Sequence, residues 1–268
     1  MKIGDWLLKS TQKLEKAGIP TARLDCLVLL EDELKKDKSW ILAHPETVVQ
    51  GRSLETLNGW VERRVGHEPL AYIRGKTEFY GRVFKVDNRV LEPRPESETM
   101  IELLKALPLT KTPHLADVGT GSGALGITAA LEIPGSTIEL IDIDPGCLAV
   151  ARENLELNKV TAEIYKADLL ESPKRLVDVV LANLSYVPDS HTINEAAMQE
   201  PSIAIFGGPD GLDLYRRLFS QIAGGNIKPK YVLTESLPFQ HAELTKIAST
   251  NSYKLLKEDD FIVVFELA

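Results

Sequence analysis

From residue 96 onward the chain alternates between short apolar strand-like runs and amphipathic helix-like segments. Only a layered α/β fold accommodates that pattern. The alternation predicts a helix over 97–107, a strand over 114–118, a helix over 124–131 ended by Pro134-Gly135, and a strand over 137–143. It continues with a helix over 145–157 opened by Pro145, a short strand over 162–165, and a strand over 177–182. Val177 to Ala182 is apolar almost throughout, as expected of a parallel strand covered on both faces. Next come a helix over 212–222, a strand over 231–234 and a helix over 241–249. Strands over 253–256 and 261–265, joined by Lys257-Glu258-Asp259-Asp260, close the chain and bring an antiparallel strand into the sheet.

The first 75 residues have a different texture. Apolar residues recur at helical spacing in three stretches: Trp6, Leu7, Leu14 and Ala17; then Leu24, Leu27, Val28, Leu30 and Leu34; then Leu54, Leu57, Trp60 and Val61. Gly18 and Gly66 read as helix stops and Ser53 as an N-cap. This predicts a small helical domain over 1–75. Glu78 to Val86 alternates at period two around Gly81 and predicts a β-hairpin, so the linker is placed at 76–92 and the α/β domain at 93–268.

Composition narrows the class. Of 268 residues 44% are hydrophobic and 26% charged, and no run approaches the roughly 20 apolar residues of a membrane helix. The formal net charge of −8 argues against a protein whose main partner is a nucleic-acid backbone, which needs a basic stripe. Basic residues at Arg52, Arg63, Arg64, His67, Arg74 and Lys76 are interleaved with acids and read as a solvated mixed-charge face. Cys26 and Cys147 read as reduced, buried thiols; with no secretory signal at the start, the cytoplasm is the expected compartment. No metal site is expected, and a monomer is.

Two constellations carry chemistry. Asp117-Val118-Gly119-Thr120-Gly121-Ser122-Gly123 ends a strand and opens a helix, where glycines admit positive φ and close backbone approach to a ligand. Gly121, Gly123 and Gly126 also fit a dinucleotide fingerprint. Asp142, at the end of the next strand, suits the ribose hydroxyls of NAD and of S-adenosylmethionine alike. Asp117 tilts the balance to S-adenosylmethionine, because a carboxylate there could face an ammonium group and would repel a pyrophosphate. Asp168 would sit beside the adenine, or act as a turn residue.

The second constellation is Asn183-Leu184-Ser185-Tyr186 after the 177–182 strand. An amide nitrogen is a poor nucleophile, so a site that methylates one must hold its N–H groups and aim the nitrogen at the sulfonium methyl. Asn183 supplies a side-chain carbonyl, Leu184 a backbone carbonyl, and Tyr186 a ring to pack on the planar group.

Both constellations, with Arg64-Val65-Gly66-His67-Glu68-Pro69-Leu70-Ala71-Tyr72-Ile73, Pro93-Arg94-Pro95-Glu96 and Gly207-Gly208-Pro209-Asp210-Gly211-Leu212, occur together along essentially the whole chain. In this the chain resembles the glutamine N5-methyltransferases that modify peptide-chain release factors. The resemblance implies a helical N-terminal domain on a seven-stranded, Rossmann-like class I methyltransferase domain. It implies S-adenosylmethionine as donor and, as substrate, the Gly-Gly-Gln glutamine of bacterial class 1 release factors (release factors 1 and 2). It implies donor contacts at Gly119 to Gly123, Asp142, Leu169 and Asn183, beside the Asp117 and Asp168 carboxylates already placed there by position. It further implies substrate contacts at Asn183 to Tyr186, Arg94 and Pro95, with Asn183 and Tyr186 catalytic.

The family's usual tetrad is Asn-Pro-Pro-Tyr, and here Leu184 and Ser185 replace both prolines. The replacement loosens the loop and adds two N–H donors that need partners. Glu92 also stands where an aliphatic residue is usual, and brings a charge toward the pocket rim. Methylation of a ribosomal-protein glutamine, adenine-N6 methylation of DNA, nicotinamide-dependent oxidoreduction and a catalytically silent binding module are the competing readings.

Overall fold

The computed structural model describes residues 1–171 and 173–268. Contacts divide the chain into two compact units: residues 1–75 with 194–199, and residues 76–193 with 200–268.

The first unit is helical: α1 (Ile3–Lys16), α2 (Ala22–Leu34), α3 (Lys38–Ala43), α4 (Gly51–Val65) and α5 (Leu70–Arg74). Trp6, Leu14, Cys26, Leu29, Leu30, Ile41, Leu57 and Val61 form its core. Leu24, expected inside, is half exposed. The inward face of α2 is set instead by Ala22, Asp25, Cys26, Leu29 and Leu30, whose spacing puts Leu24 on the opposite side. α4 begins at Gly51 without a side-chain cap, so Ser53 lies within its first turn. The short helices α3 and α5 escape periodicity because six and five residues give too few repeats of a helical pattern.

The mixed-charge cluster is not a uniformly solvated face. Arg64 is buried and its Nε donates to Asp25 Oδ2 at 2.7 Å, while Nη1 donates to the Glu68 carbonyl at 3.0 Å. Arg63 pairs with Glu68, Arg74 with Asp32 and His67 with Glu195. A basic run with acids at matching distances folds into internal ion pairs.

The second unit opens with a hairpin, β1 (Lys76–Phe79) and β2 (Arg82–Lys85). Phe79 and Phe84 are buried in the core of this unit, so the hairpin packs as part of the α/β body. Then come α6 (Glu98–Lys105), β3 (His114–Val118), α7 (Ala124–Glu132), β4 (Thr137–Asp142), α8 (Pro145–Asn158), β5 (Glu163–Lys166), β6 (Val179–Ala182), α9 (Asp213–Gly224), β7 (Tyr231–Glu235), α10 (His241–Thr250), β8 (Tyr253–Asp259) and β9 (Ile262–Leu267). The seven strands β3 to β9 form one sheet in the order β5-β4-β3-β6-β7-β9-β8. Among the described residues β9 alone runs opposite to the other six strands.

Val179 and Leu181 face one core layer with α6, α7 and α8, while Val180 and Ala182 face the other with α9 and α10. That two-sided burial is why β6 reads as continuously apolar. β8 runs on through Asp259 after an irregularity between Leu255 and Lys257, so the charged tetrad expected as a loop is mostly strand. Ladder hydrogen bonds to β9 outweigh the low strand propensity of Lys257 to Asp259, whose side chains are solvated. Among the described residues no helix is long and apolar enough to cross a membrane.

Asp25→Ala is expected to destabilise the first unit by about 3–5 kcal/mol, because it strands the Arg64 charge. The double change Asp25→Leu with Arg64→Met should cost clearly less. All three tryptophans lie in this unit, so denaturation followed by tryptophan fluorescence reads it directly.

Candidate functional site

Parallel pairing of β4-β3-β6-β7 brings the carboxyl ends of four strands to one edge, where α/β folds bind ligands. The β3–α7 loop carries Gly119, Gly121 and Gly123 at φ +70°, +54° and +80°. The amides of Gly119 and Thr120 both donate to the Ile141 carbonyl at 2.9 Å, which pins the loop to β4. Asp117, fully buried, accepts at Oδ2 from the Thr120 hydroxyl (2.6 Å) and the Gly126 amide (2.9 Å). It therefore braces the turn from within as well as lining the cavity. Burial pushes its pKa up to about 6, against the pull of those two hydrogen bonds.

Asp142 closes β4. Its Oδ2 accepts from the Gly121 amide and its Oδ1 from the Asp144 amide, both at 2.9 Å. Burial raises its pKa too. Each carboxylate oxygen retains a lone pair for a ligand hydroxyl. Past β5, Leu169 takes positive φ (+54°). Gln221 of α9 clamps that turn from both sides: its Nε2 donates to the Asp168 carbonyl at 3.1 Å, and its Oε1 accepts from the Leu170 amide at 2.8 Å. The Asp168 carboxylate is held by Arg217.

The tetrad comes directly after β6. Leu184 is buried, and its Cδ2 would lie 2.8 Å from a Cβ at residue 119, so tetrad and glycine loop touch. One N–H donor added by the missing prolines is met, the Leu184 amide donating to the Tyr215 hydroxyl at 3.3 Å; separately, the Ser185 side-chain hydroxyl donates to the Ile203 carbonyl. Polar contacts thus supply some of the restraint that two pyrrolidine rings would give. Gly207 explains part of the downstream glycine motif, because a Cβ there would sit 2.2 Å from the Ser185 carbonyl oxygen.

Of the residues expected from sequence, Asp117, Gly119, Thr120, Gly121, Ser122, Asp142, Asp168, Leu169, Asn183, Leu184, Ser185 and Arg94 line one cavity. Gly123, Pro95 and Tyr186 are not among its lining residues. Gly123 caps α7, Pro95 opens the 3-10 turn Pro95–Ser97, and the Tyr186 hydroxyl donates to Glu235 Oε1 at 3.0 Å. Glu92 does reach the cavity, with the Thr77 hydroxyl donating to it at 3.2 Å. Cys147 is half-buried, unlike Cys26, because the first turn of α8 forms part of the cavity wall.

Sequence reasoning gave no site role to Ser97, Glu200, Gln221 or Glu235. Glu200 is buried against Arg94 (Oε2 to Nη2, 2.6 Å), and burial raises its pKa to about 7. The Glu200-Pro201 pair was visible in the sequence, but its partner lies 106 residues away.

The wall carries five carboxylates (Glu92, Asp117, Asp142, Asp144 and Asp168) against two arginines, Arg94 and Arg217, each already paired with an acid. A dinucleotide's diphosphate would be repelled here, whereas a ligand with sulfonium and ammonium charges is attracted. The residues present therefore fit S-adenosylmethionine. Among the described residues no cluster of His, Cys, Asp or Glu could hold a metal.

The sheet order, the glycine loop and this acidic cavity define a class I S-adenosylmethionine-dependent methyltransferase. The fold agrees with solved structures: a methyltransferase from Pyrococcus furiosus (TM-score 0.53, 16% identity, 70% of this chain and 90% of that one) and the hMettl16 catalytic domain (TM-score 0.53, 12% identity, 69% and 75%). Residues 5–75 match the PrmC N-terminal domain and residues 97–199 the methyltransferase small domain. The release factor glutamine methyltransferase of Coxiella burnetii is 32% identical over 87% of this chain and 86% of its own length. That of Koribacter versatilis is 35% identical over 78% and 77%. The chain belongs to the release factor glutamine methyltransferase family.

A carboxyl whose folded pKa is raised favours folding while protonated and loses that contribution as pH rises through the folded value. For Asp117 the window runs from its ordinary 3.8 to about 6. Asp117→Asn should therefore gain stability relative to the parent across that window. The gain is on the order of 3 kcal/mol, at about 1.4 kcal/mol per pH unit between the two values. Urea unfolding followed by circular dichroism at pH 4 and pH 7 measures it.

Proposed function

We propose that the protein methylates the side-chain amide nitrogen of the Gly-Gly-Gln glutamine in bacterial class 1 release factors 1 and 2. S-adenosylmethionine supplies an electrophilic methyl group on a sulfonium. The observation that carries the reading is the orientation of Asn183. Its Nδ2 donates to Ser97 Oγ at 2.9 Å and to Glu235 Oε2 at 3.0 Å, so Oδ1 is left as an acceptor at the cavity wall.

In this reading Asn183 Oδ1 and the Leu184 carbonyl accept the two hydrogens of the substrate's NH2 group. They fix its plane and leave the nitrogen lone pair as the exposed direction. The N–CH3 bond forms as the sulfonium C–S bond breaks and S-adenosylhomocysteine leaves. The nitrogen becomes strongly acidic only once alkylated and then loses one hydrogen as a proton to solvent, so no strong base is required and position and hydrogen-bond geometry do the work. Asp142 holds the ribose hydroxyls, and the Gly119 to Ser122 backbone lies against the donor. Leu169, Leu184 and Leu125 exclude water from the cavity wall. The helical unit contributes to recognition of the protein substrate.

Incubating the protein with S-adenosylmethionine and a purified class 1 release factor should add one methyl group, localised by mass spectrometry to the Gly-Gly-Gln glutamine. Asn183→Ala should abolish the transfer while leaving donor affinity within about tenfold. Donor binding with no methylated release factor would redirect the search to a ribosomal-protein glutamine or to adenine in DNA.

Asp142→Ala should weaken S-adenosylmethionine binding by about 1–3 kcal/mol, the cost of leaving the ribose hydroxyls unpaired. Calorimetric titration gives the dissociation constants, and equal values for parent and variant would remove Asp142 from the donor site.

A further inference from the structure

Glu235 is the last residue of β7, one place beyond Thr234, which is in register with Ala182 of β6. The parallel pairing therefore delivers Glu235 and Asn183 side by side at the sheet edge. Glu235 is buried and is not among the residues lining the cavity. Its carboxylate collects three donors: Ser97 Oγ at 2.6 Å and Asn183 Nδ2 at 3.0 Å on Oε2, and the Tyr186 hydroxyl at 3.0 Å on Oε1. Asn183 Nδ2 also donates to Ser97 Oγ at 2.9 Å, which closes a three-membered ring of hydrogen bonds.

That ring has one satisfactory orientation. The Ser97 hydrogen is committed to Glu235, so the Ser97 oxygen can only accept from Asn183. A reversed Asn183 amide would set its oxygen about 3 Å from a carboxylate oxygen and opposite a hydroxyl with no hydrogen to give, while its NH2 group turned to the cavity.

We propose that Glu235, acting with Ser97, is the positioning residue that locks the Asn183 carbonyl toward the cavity and thereby makes the site selective for a planar NH2 acceptor. The inference rests on the function proposed above. Glu235 acts through Asn183 and Tyr186 and does not itself touch the substrate. Burial raises its pKa, and the hydrogen bonds from Ser97, Tyr186 and Asn183 oppose that rise because they stabilise the carboxylate that accepts them. One carboxylate serves both ends of the tetrad, so the orientation of the Asn183 amide and the placement of the Tyr186 ring are coupled.

The test is an exchange of the two groups. Asn183→Asp puts two carboxylates in contact and should lower kcat on a release factor by at least about 100-fold. The double variant Asn183→Asp with Glu235→Gln restores a donor–acceptor pair in the opposite sense and still presents an oxygen to the cavity. It should recover at least about tenfold over the single variant. Glu235→Met, which fills the space without an acceptor, should lower kcat by about 100-fold with the dissociation constant for S-adenosylhomocysteine held within about threefold. Glu235→Gln alone should stay within about tenfold of the parent, because its amide oxygen still accepts from Asn183 and Ser97.

A readout that needs no substrate accompanies these: the Asn183 side-chain amide protons in 15N-labelled protein should exchange slowly in the parent and fast in Glu235→Met. A double variant no better than Asn183→Asp, or amide protons that exchange in the parent as fast as those of surface asparagines, overturns the proposal. A parent that leaves release factors unmethylated while its Asn183 amide is protected overturns the substrate reading and leaves the positioning role standing.

Discussion

The parallel register of β4, β3, β6 and β7 is the constraint on which the site depends. All four strands end at the same edge, and each end carries chemistry: the glycine loop after β3, Asp142 on β4, Asn183 after β6 and Glu235 on β7. A shift of one residue in any ladder would turn the edge residue to the other face of the sheet. The continuously apolar strands and the two core layers fix that register, so the burial that stabilises the sheet also aims the functional groups.

The site concentrates buried carboxylates, which is costly without partners. Each is met locally. Asp117 receives the Thr120 hydroxyl and the Gly126 amide, Asp142 two backbone amides, Glu200 the Arg94 guanidinium, and Glu235 three side-chain donors. Burial nonetheless raises the pKa of all four, because hydrogen bonds only partly offset lost hydration. Of these, Asp117 and Asp142 join Glu92, Asp144 and Asp168 in a cavity wall suited to a cationic ligand, while Glu200 and Glu235 are not among its lining residues. The two tetrad residues that depart from the family pattern are tied down by Tyr215 and by the Ile203 carbonyl, so polar contacts take over part of what ring closure does elsewhere.

Legibility tracked the range of the interaction. β3 and α8 could be placed within a residue from sequence because the apolar run of one and the proline start of the other are local signals. The glycine loop and Asp142 were legible for the same reason: strand, turn and helix succeed one another directly. Leu24 was misplaced because the inward face of α2 includes Asp25, a polar residue that periodicity discounts and that Arg64, 39 residues away, makes acceptable inside. The β8 strand was cut short because its charged stretch is ordered by β9 across the ladder rather than by its own propensity.

By itself the sequence determined the α/β architecture, the ligand loop, the acid on the neighbouring strand and the tetrad. Each of these is written in consecutive residues whose backbone preferences and apolar pattern act locally. Only the tertiary structure decided which way Asn183 faces. Its partners Ser97 and Glu235 come from segments 138 residues apart in the chain, and no local pattern announces that a serine before one helix and a glutamate ending a strand will share a proton donor. Hydrogen bonds between such distant groups form only once the sheet has closed. The orientation of the Asn183 amide is therefore a property of the assembled edge and not of any one segment.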